Sequence, residues 1–281
     1  MGKIAAAIND LSGLGQSSLC AIIPILATMG VQACPLPTAV LSSQTDGYHD
    51  YAFCDMTPLW QKYLTHWQKE APVFDCIYSG FLGSVEQIEM IERFIANFAH
   101  ADTLIVVDPV LGDNGKLYDT MNAEMVDSMR SLLQQAQVIT PNYTEMCLLG
   151  AEKYNSAPDI AWIKKQMLDL SRLGPQIVVV TSIPTEEQKV TLTAVYNNKS
   201  KEYTFFSTEL LPAHYPGSGD IFCAVLVGGL LNKQAVEASV KTAAQFVYEA
   251  INLSLKQNRP FREGVALEQA LPLLFQQCRK E

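Results

Sequence analysis

Pro216-Gly217-Ser218-Gly219-Asp220 runs straight into Ile221-Phe222-Cys223-Ala224-Val225-Leu226-Val227-Gly228-Gly229-Leu230-Leu231. Two glycines flank a hydroxyl residue, an aspartate follows at once, and an apolar helix begins. Flexible backbone N–H groups at a helix N-terminus form an anion site. A carboxylate there would repel a resting anion. It makes sense if the anion is a phosphoryl group in transit and the carboxylate handles its nucleophile. The same residues also suit a Gly-rich turn with an acidic residue opening a helix, an arrangement the helix dipole favours. The motif alone leaves both readings open.

Outward from this stretch, apolar strand-like runs alternate with helix-length amphipathic runs. Strands are expected at 4–8, 32–41, 76–79, 103–107, 137–139, 176–181, 190–196 and 202–206. Helices are expected at 17–29, 57–69, 85–98, 123–134, 160–173, 220–231, 234–256 and 267–276. The alternation predicts βαβ units, right-handed crossovers and a mostly parallel sheet covered by helices on both faces. Segments 190–196 and 202–206, joined by Asn197-Asn198-Lys199-Ser200-Lys201, read instead as an edge hairpin. Nothing in composition marks a linker or repeat, so 1–281 reads as one α/β domain. The stretch 42–55 departs from the pattern: it is polar and aromatic, with Gly47, Tyr48, His49, Tyr51 and Phe53. At that length it is a lid or a disordered excursion, and the aromatic residues favour the lid.

Composition narrows the function classes. Hydrophobic residues make up 48%, enough for a core without disulfides or metals. Seven cysteines are scattered without a C-x-x-C pair, which points to a reducing cytoplasm and away from a zinc site. No apolar run is long enough for a membrane span, and 4–8 reads as a buried strand rather than a signal peptide. The net charge of −9 disfavours a nucleic-acid partner. An anionic substrate would need its charge met locally by backbone dipoles and a metal ion.

In parallel α/β sheets ligands bind beyond the carboxyl ends of the strands. After the first strand, Asn9-Asp10-Leu11-Ser12-Gly13-Leu14-Gly15-Gln16-Ser17 begins a Gly-x-Gly pattern, but Ser18 stands where a dinucleotide fingerprint needs its third glycine. This loop can present Asp10 and Ser12 to a small molecule, or be a plain turn with Ser17 as N-cap. Asp108-Pro109-Val110-Leu111-Gly112-Asp113 places two carboxylates after a buried strand, suited to Mg²⁺ held partly through water, or to a solvated turn. Thr140-Pro141-Asn142-Tyr143-Thr144-Glu145 reads as a capping box on Asn142 and Glu145, which leaves both free to serve a metal–phosphate group as well. Thr181-Ser182 ends a strand and could touch a nucleotide or cap a turn. There is no G-x-x-x-x-G-K-[ST], H-R-D or D-F-G sequence, so any phosphoryl transfer uses another architecture.

Taken together, Asp108-Pro109-Val110, Asn142-x-x-Glu145 and Gly217-Ser218-Gly219-Asp220 occur in the order of the ribokinase-like superfamily. Within it, the chain resembles the pyridoxal/pyridoxine/pyridoxamine kinases. Supporting stretches are Pro37-Thr38-Ala39-Val40, Ser43-Gln44-Thr45, Ser79-Gly80-Phe81-Leu82-Gly83-Ser84 and Gly174-Pro175-Gln176-Ile177-Val178. The resemblance implies a three-layer α/β/α sandwich with a mostly parallel sheet and a small lid. It implies a dimer using ATP and Mg²⁺, with a monovalent cation. It casts Asp220 as catalytic base, Gly217, Ser218 and Gly219 as the anion hole, and Asn142 and Glu145 as the metal–phosphate pair. Asp108 would lie beside the ATP phosphates, Asp113 and Thr140 near a cation, Ser182 against the nucleotide, and Ser12 and Thr45 on the ring's polar edge. Ser43-Gln44-Thr45 departs from the frequent Asn-His-Thr, and the first loop resembles hydroxymethylpyrimidine (phosphate) kinases of the same fold. A pyrimidine substrate, or a non-catalytic pyridoxal-binding protein, are the alternatives.

Overall fold

The computed structural model describes residues 2–187 and 189–278. In chain order it contains β1 (Lys3–Leu14), α1 (Ser18–Thr28), β2 (Val31–Ser43), β3 (Phe53–Asp55), α2 (Thr57–Glu70) and β4 (Cys76–Ser79). Then come α3 (Val85–Phe98), β5 (Leu104–Val107), β6 (Gly112–Asp113), β7 (Lys116–Leu117), α4 (Ala123–Leu133) and β8 (Val138–Ile139). They are followed by α5 (Tyr143–Leu149), α6 (Ile160–Ser171), β9 (Ile177–Pro184), β10 (Val190–Asn197) and β11 (Glu202–Glu209). The chain ends with α7 (Ser218–Leu231), α8 (Val236–Lys256), a 3-10 turn at Phe261–Glu263 and α9 (Leu267–Cys278). Among the described residues no helix is long and apolar enough to cross a membrane, and none of the seven cysteines is in a disulfide.

Two compact units divide the chain: Met1–Phe81 with Leu211–Glu281, and Leu82–Leu210. In the first, β1 lies between β4 and β2, parallel to both, and β3 adds antiparallel to the outer side of β2. Ala5, Ala6, Ala7 and Ile8 are completely buried, as expected of a parallel strand covered on both sides. Helix α7 packs against α1 and α8 and is buried from Ile221 to Gly229. That is why its sequence shows no polar stripe: a helix surrounded by protein has no face to give to water.

In the second unit the order is β11, β10, β9, β8, β5, with β5–β8 and β8–β9 parallel and β9–β10 and β10–β11 antiparallel. The expected edge hairpin is present, with Tyr196 opposite Tyr203 and their rings stacked at 4.5 Å. Helix α3 starts where Ser84 accepts the Gln87 N–H at 3.2 Å, and it buries Ile88, Ile91, Phe94, Ile95 and Phe98 along one face. Each such side chain contributes about 1.5–3 kcal/mol.

Three departures from the sequence reading concern the ligand ends of strands. Residues 9–14, expected as a loop, continue β1 and pair with β2 as far as Leu14 and Ser43, after a register slip between Asn9 and Leu11. The stretch 42–55 is pinned: Phe53–Asp55 pairs with Ala39–Leu41, and Ser42 and Ala52 exchange bonds at 3.0 and 2.9 Å. Gln44 is buried; its amide donates to the Asp46 and Arg262 carbonyls and accepts the Asp46 N–H at 2.6 Å. Finally, Gly112–Asp113 and Lys116–Leu117 form a small ribbon that the sequence did not announce.

Candidate active site

The N-cap of α7 is Gly217 at φ 82°, in the left-handed region. A Cβ there would meet the Gln16 carbonyl oxygen at 2.3 Å and Ser17 Cα at 2.8 Å, so only glycine fits. Gly219 differs: it lies within the helix, and a Cβ on it would meet nothing within 4 Å. Neither backbone nor packing requires glycine at 219, so the open space above it is free for a ligand. The first N–H groups of a helix have no carbonyl partner inside it, and here they belong to Ser218, Gly219 and Asp220. These N–H groups open the helix beside the space left at Gly219.

Asp220 lies at the third position of α7 rather than the first. Its Oδ1 accepts from Asn9 Nδ2 at 2.9 Å, and its Oδ2 accepts the Ser18 N–H at 2.8 Å. Asp220 thereby caps α1, and Ser17, at the N-cap position, makes no side-chain cap bond. The Ser17 hydroxyl is buried without a hydrogen-bond partner. Burial pushes the Asp220 carboxyl up to about 6; the Asp10 charge adds to this, while the bonds from Ser18 and Asn9 oppose it. Desolvation makes it a stronger base that is still ionised at neutral pH.

Asn9, quoted in the first loop, was not among the candidate site residues. Its Oδ1 accepts the N–H groups of Asp10 at 2.9 Å and Phe81 at 3.1 Å, leaving its amide to face Asp220. A Cβ on Gly80 would lie 2.3 Å from Asn9 Nδ2. Ile8 pairs with Ser79 in parallel register, so the glycine after β4 makes room for the amide after Ile8. An asparagine ending one strand beside a glycine ending the next was the available signal. Ser12 is buried, and its hydroxyl donates to Asp10 Oδ2 at 2.7 Å. Thr45, the other expected ring contact, is exposed in a turn.

In the second unit, Glu145 is 3% exposed. The capping box is present: Asn142 Oδ1 accepts the Glu145 N–H at 2.9 Å, and Glu145 Oε2 accepts the Asn142 N–H at 2.7 Å. Glu145 Oε1 also accepts the Leu111 N–H at 3.1 Å, and Asn142 Nδ2 donates to the Gly112 carbonyl at 2.8 Å. The box thus fixes the loop after Asp108 as well as the start of α5. Burial holds the Glu145 carboxyl well above the usual range; the Asp108 charge adds to this, and the surrounding backbone N–H groups oppose it. The Thr140 hydroxyl donates to Asp108 Oδ1 at 3.0 Å, placing Thr140 in the same cluster. Asp113, in the β6–β7 ribbon, instead accepts from its neighbour Asn114 at 2.7 and 3.1 Å. Ser182 is exposed at φ 57°, where the pairing of β9 with β10 is irregular, so its hydroxyl faces outward from a bulge.

Among the described residues no group of three or more His, Cys, Asp or Glu forms a ready metal cage. That does not disqualify Mg²⁺, which keeps several waters and takes one or two carboxylates plus substrate phosphates. The mutual repulsion of Asp108 and Glu145, two buried acids, is what a divalent cation would relieve. The donor set fits the ion.

Comparison with known proteins follows the same line. The sequence pattern of the phosphomethylpyrimidine kinase family matches residues 21–263. A curated pyridoxine/pyridoxal/pyridoxamine kinase from Bordetella avium is 29% identical over 238 residues, covering 81% of this chain and 77% of its own. A Bacteroides thetaiotaomicron crystal structure named as a phosphomethylpyrimidine kinase, in an orthorhombic form with pyridoxal, is 42% identical. It superposes with a TM-score of 0.94 over 98% of this chain and 96% of that one. A pyridoxal kinase structure from Lactobacillus plantarum is 30% identical, with a TM-score of 0.90 over 100% and 99% of the two chains.

Proposed function

The chain belongs to the phosphomethylpyrimidine kinase family, and from that premise we propose that it is an ATP-dependent kinase phosphorylating the hydroxymethyl group of pyridoxal, pyridoxine or pyridoxamine. The observation that carries this reading is Asp220: a desolvated carboxylate held by Asn9 and Ser18, in the first turn of a helix whose glycine at 219 leaves open space.

Phosphoryl transfer to an alcohol depends mainly on in-line positioning and charge neutralisation. Asp220 accepts the hydroxymethyl proton as the new O–P bond forms and the bond to the ADP leaving oxygen breaks. The N–H groups of Ser218, Gly219 and Asp220 stabilise the charge on the phosphoryl oxygens. Ser12 and Thr45 hold the ring's polar edge, with 42–55 as lid on a single kinase domain. Asp108, Asn142 and Glu145 serve the metal–phosphate end, Asp113 and Thr140 a cation, and Ser182 the nucleotide. Mg²⁺, held by Asp108 and Glu145, would supply neutralisation of the nucleotide's charge. The enzyme works as a homodimer in the cytoplasm.

Hydroxymethylpyrimidine is the second reading, favoured by the family's own description. The ring that accompanies the 42% identical structure, pyridoxal, favours the first. Incubating the protein with ATP, Mg²⁺ and pyridoxal should give pyridoxal phosphate by mass spectrometry, and Asp220→Asn should remove the product. Full activity of that variant would overturn the assignment.

A further inference from the structure

Asp10 lies at the carboxyl end of the buried part of β1, 8% exposed. Its Oδ1 accepts the Ser18 hydroxyl at 2.5 Å, and its Oδ2 accepts the Ser12 hydroxyl at 2.7 Å. Ser18 in turn gives its backbone N–H to Asp220 Oδ2 at 2.8 Å. The two carboxyls are joined a second time through Asn9, whose side chain accepts the Asp10 N–H and donates to Asp220, both at 2.9 Å. Ser18 holds this bridge at φ 52°, in the left-handed region, as the first residue of α1. A non-glycine residue stays there only when its surroundings over-determine it. Here one acid takes the hydroxyl and the other takes the N–H.

We propose that Asp10 is a positioning residue for Asp220: it takes the Ser18 hydroxyl so that the Ser18 N–H is aimed at Asp220, and its negative charge keeps Asp220 a competent base. Asp10 itself exchanges no proton with substrate. Burial raises the Asp10 titration, and the hydroxyls of Ser18 and Ser12, donated to its two oxygens, oppose that and favour the ionised form. The inference rests on Asp220 acting as the base. Titratable groups on the elements around α7 are Lys3 and Asp10 on β1, Cys20 on α1, Cys76 and Tyr78 on β4, and Glu237, Lys241, Tyr248, Glu249 and Lys256 on α8. Of these, Asp10 is the one whose charge acts on Asp220. Two buried carboxylates in one network push their titrations apart, leaving one ionised early and the other late.

The test is the pH dependence of kcat/KM for pyridoxal in wild type, Asp10→Asn and Asp220→Asn. The wild-type acid limb is expected near pH 6. In Asp10→Asn it should move about one pH unit lower, with kcat about 10-fold down because the base is weaker. A merely structural role would lower kcat and leave the limb where it was, and that result overturns the proposal. If Asp10→Asn does not fold, ¹³C-carboxyl NMR decides. In the wild-type protein the Asp10 resonance should ionise at lower pH than that of Asp220, and an Asp10 that stays protonated until Asp220 has ionised overturns the proposal. Wild-type turnover by Asp220→Asn would sink the base assignment itself. An unshifted limb in Asp10→Asn, with Asp220→Asn inactive, sinks only the role of Asp10.

Discussion

Gly217→Ala and Gly219→Ala should have opposite effects on stability and similar effects on turnover. At 219 the backbone is helical and an added methyl group meets nothing within 4 Å. Alanine there should stabilise the protein by about 0.5–1 kcal/mol, through a less flexible unfolded chain and better helix propensity. For a chain of this size that is about 1–4 °C in melting temperature. At 217, alanine must hold φ 82° and place its Cβ 2.3 Å from a backbone oxygen. The left-handed backbone alone costs about 1–2 kcal/mol, and with the clash the loss should reach about 3 kcal/mol or more. Turnover at 219 separates the two roles of glycine. If the transferring phosphoryl group occupies the open space, a methyl group displaces it by about an ångström, and kcat should fall about 10²-fold. Calorimetry and a coupled ADP-release assay on the same preparations read both effects. A Gly219→Ala enzyme that is more stable and turns over at the wild-type rate would refute the use of that space.

Asp220→Asn should lower kcat by about 10²–10⁴-fold, as measured in the same assay. Asp220 also shapes stability against pH. Its folded carboxyl titrates near 6 against 3.8 for the free side chain, so the native state holds the proton longer than the unfolded one. The stability it contributes is full below pH 3.8 and is lost as pH rises through about 6. Urea denaturation across that window should show a falling stability in wild type and a flatter curve in Asp220→Asn. Glu145→Ala leaves the N–H groups of Leu111 and Asn142 without their acceptor, so it should cost on the order of 2–3 kcal/mol in thermal melts and weaken the Mg²⁺ dependence. Glu145→Gln should weaken the Mg²⁺ dependence at a smaller cost in stability, because its one carbonyl oxygen still accepts from one of the two. Gln44→Ala removes the bond that ties 42–55 to the Arg262 carbonyl and the bonds to Asp46 within the segment. It should speed amide exchange in that segment and raise the KM for pyridoxal, whereas unchanged exchange would mean that the Phe53–Asp55 pairing alone holds the segment.

What was legible in the sequence follows the range of the interactions. The βα alternation could be read because a buried parallel strand such as Ala5–Ile8 is apolar throughout, and α3 because its apolar residues recur at helical spacing. The capping box at Asn142 and Glu145 spans three residues and was equally plain. The continuation of β1 to Leu14 was hidden, since Asn9-Asp10-Leu11-Ser12-Gly13 has a loop's composition and is extended only because β2 pairs with it. The Asn9–Asp220 bond joins residues 211 positions apart, and no local pattern encodes it. The raised titration of Asp220 was missed for the same reason: the burial and the Asp10 charge behind it arise only in the folded chain.

The central claim is tested most directly by a substrate panel with purified protein, ATP and Mg²⁺. Pyridoxal, pyridoxine, pyridoxamine and hydroxymethylpyrimidine are each supplied, and the phosphorylated product is quantified by mass spectrometry. The account predicts phosphate on the hydroxymethyl group of at least one pyridine substrate, at a kcat/KM above that for the pyrimidine, with the product lost in Asp220→Asn. Phosphorylation of the pyrimidine alone, or transfer to no substrate in the panel, would contradict it.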